Sequence, residues 1–377
     1  MTRVAVTADL HVDRYGTRRD PETGLNVREL DCLNTLRWIG EQARGFECEA
    51  LIVAGDYVES KTNPRSGRVT RIAQSLYAGP DRQIHLPGNH DIADAGLSIV
   101  EDLATRAPGW TGHTAPGFEL VGDLGVCVIP HLSPAWWRTQ PGKEALPDAE
   151  AYRELREHYL TIARGLFVKA ERAGAKASIL VGHQQLSGGQ MTERQQVFLG
   201  DLDIIVDAGA LAAIGFAAVT FGHVHRAQTV LDNPDCPVVF AGSIERVDFA
   251  EQDERKSFMV VDVEDGRATI ERIPTPARHM VTVRGDGSFN EAAVEDAVVR
   301  GVDLDPDVDE AELRRALYAA GALEVMGIRR RPAEAVAAAG GLSETLTREQ
   351  LLELYFEGDP DRDALVARGR RILEAVS

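Results

Sequence analysis

The chain lacks the features that would place it outside a cell or across a membrane. Its four cysteines, Cys32, Cys48, Cys127 and Cys236, form no CxxC pair and no regular spacing. That argues against a disulfide framework and a structural zinc site, and for a reducing compartment. No apolar run approaches the length of a membrane span. A strand-like run, Arg3-Val4-Ala5-Val6-Thr7-Ala8, starts at once and leaves no room for a signal peptide. A cytoplasmic protein with no membrane contact is therefore expected. Long repeats and low-complexity tracts are missing too. So is any excess of basic charge, because the net charge is −18. A chain this acidic does not advertise nucleic-acid binding as a whole. Metal ions and a local basic patch can still set the field where it matters.

What is present is a long alternation of apolar runs and amphipathic stretches. The 377 residues, 44% of them hydrophobic, fit one large domain with one or two small ones. Apolar runs at residues 3–8, Ala50-Leu51-Ile52-Val53-Ala54 and Gln83-Ile84-His85-Leu86 read as buried strands. Between them, residues 26–44 carry Leu30, Leu33, Leu36, Ile39 and Ala43 at helical spacing, and a second helix is expected near 68–78. Further strands are expected at 125–129, 177–181 and 217–221, with a long helix over 148–173. Three strands with no room for helices follow, at 238–241, 257–263 and 268–273. This predicts an α/β fold with ligands at the carboxyl ends of its strands, closing β-rich. Pro274-Thr275-Pro276 marks a boundary. Beyond it the pattern reads strand (280–283), helix (291–299), helix (309–320), strand (323–328), a small α+β module. Residues 331–341 are rich in Ala and Gly and read as a linker. Thr347-Arg348-Glu349-Gln350 has the form of a capping box, and Asp359-Pro360 starts a second helix, so 342–377 read as a helical pair.

Five clusters each follow an apolar run: Asp9-Leu10-His11, Gly55-Asp56, Gly88-Asn89-His90-Asp91, Gly182-His183 and Gly222-His223-Val224-His225. Alone, most admit a plainer reading as a turn or a core histidine. All five in this order, each at a strand end, supply oxygen and nitrogen ligands for two metal ions. Carboxylates, imidazoles and one amide oxygen suit Mn²⁺, Fe²⁺ or Zn²⁺ better than Ca²⁺. Two such ions about 3.5–4 Å apart clamp a phosphoryl group and bring a bridging water's pKa near neutrality. Asp56, from a strand between the other two N-terminal loops, is the candidate to bridge them.

This set resembles the calcineurin-like metallophosphoesterase superfamily. The resemblance implies Asp9, His11, Asp56 and His225 on one ion, and Asp56, Asn89, His183 and His223 on the other. It also implies His90 as the general acid, with Asp91 holding that imidazole's orientation. The stretch from Ala241 to Glu251, followed by Glu254-Arg255-Lys256-Ser257-Phe258, is similar to the SbcD type of DNA double-strand-break repair nuclease subunit. That likeness implies a metallophosphoesterase β-sandwich flanked by helices over 1–275, a DNA-contacting capping module over 276–330, and a helical pair over 342–377 that binds an SMC-like ATPase of the SbcC type. It further implies a homodimeric, Mn²⁺-dependent exo- and endonuclease acting on DNA. Other superfamily hydrolases of nucleotides or phosphoproteins, and a DNA-end scaffold without turnover, are the competing readings. Glu59 stands where many relatives carry Asp or His, which predicts a different substrate contact there. Arg14, Arg18, Arg19, Lys61 and Arg65 are candidates to meet phosphates. Trp136 and Trp137 read as core or as a dimer contact, and His131 as structural.

Overall fold

The computed structural model describes residues 1–13, 15–60, 66–91, 98–191, 195, 203–331, 362 and 365–370. Arg14, Lys61, Arg65 and nearly all of the linker and of the C-terminal pair lie outside the described residues.

The chain divides into two compact units. The first comprises residues 1–282, 290–299 and 317–326, and the second residues 283–289, 300–316 and 327–377. Two six-stranded sheets build most of the first unit. One sheet holds β1 (Thr2–Thr7), β2 (Ala50–Ala54), β3 (Gln83–Leu86) and β4 (Trp110–Gly112) in parallel. Antiparallel β13 (Ser257–Glu264) and β14 (Arg267–Pro274) extend it past β1. The other sheet runs in the order β11 (Gln228–Leu231), β12 (Val238–Phe240), β10 (Ala218–Gly222), β7 (Ala177–His183), β6 (Leu124–Ile129), β5 (Gly117–Val121). Its four central strands are parallel. A short parallel pair, β8 (Gln185–Leu186) and β9 (Ile205–Val206), stands beside them.

Strand periodicity explains the packing. Val4, Val6, Ile52, Ala54, Ile84 and Leu86 share one core with Val126, Val128, Ile179 and Val181 of the opposite sheet. The alternate residues Ala5, Leu51 and Val53 face a second core under α1 (Val27–Gly45), α2 (Gly67–Leu76) and α3 (Ile99–Ala104). Strands buried on both faces must be apolar throughout, which is why the sequence shows continuous runs instead of alternation. Helix α1 starts at Asn26, whose side chain accepts from the amides of Arg28 and Glu29. After the short α4 (Pro134–Arg138), the long α5 (Asp148–Arg172) covers the second sheet with Ala151, Leu155, Tyr159, Ala163, Leu166 and Ala170 at three- and four-residue steps. The short α6 (Ala208–Ala212) follows. Among the described residues, no helix is long and apolar enough to cross a membrane.

The helix expected over 291–299 is shorter than read. Helix α7 is only Glu291–Val294, and Val298–Leu304 is strand β16, which lies between β15 (Met280–Gly285) and β17 (Glu324–Arg330). Asp296 takes a left-handed φ of 55°, which stops the helix, and the β-branched pair Val298-Val299 favours extended chain. Helix α8 (Glu310–Ala319) matches its expected place. Within the second unit, Arg330 Nε lies 3.1 Å from Glu310 Oε1.

The two sheets approach closely where their parallel strands end. Gly222 closes β10 in register with His183 of β7. A Cβ at Gly222 would collide with the Ala54 carbonyl oxygen and sit 2.7 Å from Ala8 Cβ. Because the obstacle is backbone, it cannot swing aside. Gly222→Ala is therefore expected to cost at least about 2 kcal/mol, within or above the usual range for an overpacked core. Urea denaturation checks this, and an unchanged midpoint would show that the sheets can part.

Candidate metal centre

Every cluster singled out in the sequence sits at or just past the end of a parallel strand. Asp9 and His11 follow β1, Asp56 follows β2, Asn89, His90 and Asp91 follow β3, His183 ends β7, and His223 and His225 follow β10. Backbone hydrogen bonds lace the turns together. Asp9 N donates to Gly55 O at 3.0 Å, His11 N to Asp56 O at 3.0 Å, and His223 N to Asp9 Oδ1 at 2.8 Å. The turns are tight enough that Asp9, His11, Asp56 and His223 all adopt positive φ, at 52°, 42°, 54° and 93°. Non-glycine residues avoid that region, at a cost of about 1–3 kcal/mol each, unless the surroundings over-determine it.

Two groups of donor atoms result. Asp9, His11 and Asp56 form one, and Asp56, His183 and His223 the other, with the ligand atoms of each within 4.8 Å of one another. Asp56 belongs to both. Asn89 Oδ1 joins the second group, 3.2 Å from His183 Nε2 and 3.0 Å from His223 Nδ1. The His225 ring lies against the first, its centroid 4.5 Å from that of His11. All of these except Asn89 are buried.

The donor set fits cations. His183 Nδ1 lies 2.7 Å from the Ala54 carbonyl, which can only accept, so Nδ1 carries the hydrogen. Its Nε2 then faces Asp56 Oδ2 and Asn89 Oδ1, each at 3.2 Å, so three ligand atoms converge on one point. Burial works against a charged imidazole, yet the Asp56 carboxylate holds the His183 pKa up to about 10. In the cation-free chain a proton on Nε2 therefore occupies the position that a cation would claim, and the site draws in positive charge. Asp9 Oδ2 and His11 Nε2 are buried without a hydrogen-bond partner. Orphaned atoms of this kind are costly unless a ligand completes them.

Carboxylates behind the imidazoles fix the remaining rings. His225 Nδ1 lies 2.8 Å from Glu251 Oε1, while Glu251 Oε2 takes the Lys256 ammonium at 2.7 Å and Val247 N at 3.0 Å. Burial opposes ionisation of Glu251, but His225, then Lys256, hold its pKa well below the usual range. His223 Nε2 lies 2.9 Å from Asp203, which also meets His131 Nε2 at 3.3 Å and the Gln184 amide. His11 Nδ1 lies 2.7 Å from Glu59 Oε2, and that contact holds Glu59 down at about 2. Gln195 Nε2 donates to His223 O at 3.0 Å and so ties down the double-histidine turn. The stretch around Glu245 serves the same end. Glu245 accepts from Thr35 Oγ1 at 2.7 Å and Arg246 donates to four backbone carbonyls, anchoring the loop that delivers Glu251.

Several roles differ from expectation. Asp91 does not touch the His90 imidazole. Its carboxylate accepts from Asp56 N at 2.7 Å, Gly88 N at 2.8 Å and Tyr57 N at 2.8 Å, so it braces the two turns against each other. Burial, and then the Asp56 charge, push Asp91 up to about 7 against the pull of the Gly88 and Tyr57 amides and of His183. His90 is held instead by the Glu59 carbonyl, 2.5 Å from Nδ1. Glu59 turns its carboxylate to His11, though it still lines the cavity of about 320 Å³ that opens onto His11, Asp56, Asn89, His90 and His225. His131, read as structural, stacks beside His223 with centroids 6.0 Å apart. Trp137 is buried, with Nε1 donating to Glu154 at 3.2 Å, whereas Trp136 is exposed. Arg18 and Arg19 are exposed, and Arg19 donates to Gly24 O at 3.0 Å. Asp203, Gln184 and Gln195 belong to no motif, so nothing in the sequence marked them.

Comparison with known proteins follows from this geometry. The family model described as calcineurin-like phosphoesterase matches residues 2–227. The chain is 24% identical over 281 residues to one of the subunits of the nuclease SbcCD of Escherichia coli K12, covering 69% of this chain and 66%, just under two thirds, of that protein's length. Among solved structures it is similar to a purple acid phosphatase from yellow lupin seeds, at 12% identity and TM-score 0.44 over 72% of this chain and 51% of that one. It is also similar to a dimetal phosphatase from Danio rerio, at 10% identity and TM-score 0.45 over 73% and 96%.

The brace at Asp91 generates a direct expectation. Asp91→Asn replaces one acceptor oxygen by an amide that must face a backbone N–H. Leaving one of these buried amides without an acceptor should cost roughly 1–3 kcal/mol. Denaturation of the metal-free protein measures it, and wild-type stability would show that the carboxylate braces nothing.

Proposed function

The chain belongs to the calcineurin-like phosphoesterase family, and from that premise we propose that it is a DNA nuclease whose centre holds two divalent cations, Mn²⁺ by preference. The observation that carries the two-cation reading is the pair of donor groups sharing Asp56. The likeness to one component of a nuclease supports DNA as substrate. In this reading Asp9, His11, Asp56 and His225 hold one cation, and Asp56, Asn89, His183 and His223 the other. Bound cations would polarise the phosphoryl group and make water a competent nucleophile near neutral pH.

The residues of the chain do the rest. The Asp56 carboxylate, common to both donor groups, would hold both cations. The carboxylates of Glu59, Asp203 and Glu251 hold His11, His223 and His225 in orientation. His90 N donates to Asp56 Oδ1 at 3.0 Å, which sets the imidazole at the rim of the cavity. Its Nδ1 is committed to the Glu59 carbonyl, so Nε2 is the atom left to deliver a proton to the leaving oxygen. The relative is named as one subunit of a larger nuclease. By analogy we assign this chain to a dimeric assembly with an SMC-like ATPase.

Linear duplex DNA and a small chromogenic phosphodiester, each incubated with Mn²⁺, test the substrate. Wild type is expected to release nucleotides from the DNA. His90→Gln should keep its metals and lose roughly two to four orders of magnitude in rate, as for a missing general acid. Turnover of the small diester with intact DNA would discard the nuclease reading, and a fully active His90→Gln would discard the acid.

Metal content tests the bridge separately. Asp56→Asn should reduce the occupancy of both sites, whereas Asp9→Asn should weaken mainly one. Full occupancy of both sites in Asp56→Asn would remove Asp56 from its shared role.

A further inference from the structure

A second cleft, of about 610 Å³, borders the centre on the side of His225 and is lined by Arg226, Arg255, Lys256 and Arg272, with Asp253 and Glu254 as its carboxylates. Three elements bring these residues together. Arg226 directly follows His225, Arg255 precedes β13, and Arg272 lies on β14 opposite Met259. In a chain with a net charge of −18, such a concentration of cations requires an explanation.

Lys256 does not supply the free charge. Its ammonium is shared between Glu251 at 2.7 Å and Glu254 at 2.8 Å, so it offsets one of those two carboxylate charges. Three guanidinium groups then face at most two carboxylate charges, those of Asp253 and Glu254. None of the three makes an ion pair among the described residues. Arg226 Nη1 donates to Gln190 Oε1 at 3.1 Å, and Arg272 donates to Phe240 O at 3.0 Å and Gln228 O at 2.9 Å. Arg272 is half-buried, and burial draws its pKa down, yet only neutral carbonyls meet it. A partly desolvated guanidinium without a counter-anion is costly, and an arriving anion relieves that cost. Arginine presents a planar fork that matches phosphate oxygens. The cleft is also tied to the centre, since Lys256 Nζ donates to the His225 carbonyl at 3.2 Å.

We infer that the cleft lined by Arg226, Arg255 and Arg272 is a phosphate-binding track for the backbone of a polynucleotide substrate as it leaves the metal centre. The inference rests on the nucleic-acid reading proposed above and adds to it. A mononucleotide or a small diester would be handled at the centre alone, whereas a polymer reaches the cleft as well.

The test is equilibrium binding of the full chain to labelled linear duplex DNA over a NaCl series, with Ca²⁺ present to prevent turnover. Arg226→Gln/Arg255→Gln removes the two exposed arginines and spares the half-buried Arg272. The double variant should bind roughly tenfold more weakly near 100 mM salt. Its plot of log affinity against log salt should be shallower by about 2, because each phosphate contact contributes about 0.9. Asp253→Asn, which removes one opposing carboxylate, should tighten binding roughly twofold or more, an effect that damage to the fold cannot mimic. If wild type binds DNA and the double variant matches it in affinity and slope, the track is wrong while the nuclease reading stands. If the double variant loses metal or melts earlier, or weakens with no change in slope, the arginines support the fold and the track is again wrong. If wild type neither binds nor cleaves DNA, the nuclease reading fails and the track fails with it.

Discussion

The structure turns on keeping one carboxylate, that of Asp56, in a place where a carboxylate is expensive. It is buried, its backbone is left-handed at φ 54°, and it faces His183 Nε2 at 3.2 Å. Burial opposes its ionisation, but His183 and the nearby imidazoles hold its pKa well below the usual value. Three groups of a single turn secure it. Asp91 grips its amide, His90 N donates to Oδ1, and Gly88 leaves the space that Oδ1 fills, since a Cβ there would collide with it. The Gly88-Asn89-His90-Asp91 turn is therefore a clamp on Asp56 as much as a source of Asn89 and His90.

That clamp works only because the two sheets meet closely at this end. The residues at the junction are small: Ala8, Ala54 and Gly222. Ala54 O accepts from His183 across the sandwich at 2.7 Å, so one hydrogen bond both joins the sheets and sets the tautomer of an imidazole facing Asp56. Elsewhere the sheets are separated by Val and Ile side chains. The strain of four left-handed residues is tolerated at the junction because strands on both sides leave the turns no other route.

The fold was legible because of the same burial. Strands covered on both faces must be apolar, so each run ended visibly where polar residues began, and the clusters fell at those ends. Val298–Leu304 escaped because Val298 and Val299 follow a stretch of helix-forming Glu and Ala, and only the left-handed Asp296 separates them. Within the site, residues whose type proclaims their chemistry were visible, and residues whose role depends on a distant partner were not. Asp203 carries no motif, and its task appears only when it stands 2.9 Å from His223. Asp91 sits beside His90 in the chain, which favoured that pairing, but its partners are amides of a turn 34 and 35 residues earlier. Glu59, read as a substrate contact, lines the cavity and also supports His11, a second task that no motif announces.

The carboxylates behind the imidazoles bear on how so acidic a chain can admit an anionic phosphoester. Each of four carboxylates near the centre is already engaged: Asp56 with His183, Asp203 with His223 and His131, Glu251 with His225 and Lys256, Glu59 with His11. Their charge is directed inward, onto imidazoles and the cations those imidazoles would hold, and little of it is left to repel a phosphate at the rim. A bound cation pair would outweigh it locally, because the nearest charges dominate the field in a water-poor cleft while distant surface charge is screened over about 8–10 Å. Net charge therefore describes the surface of this protein and not its centre.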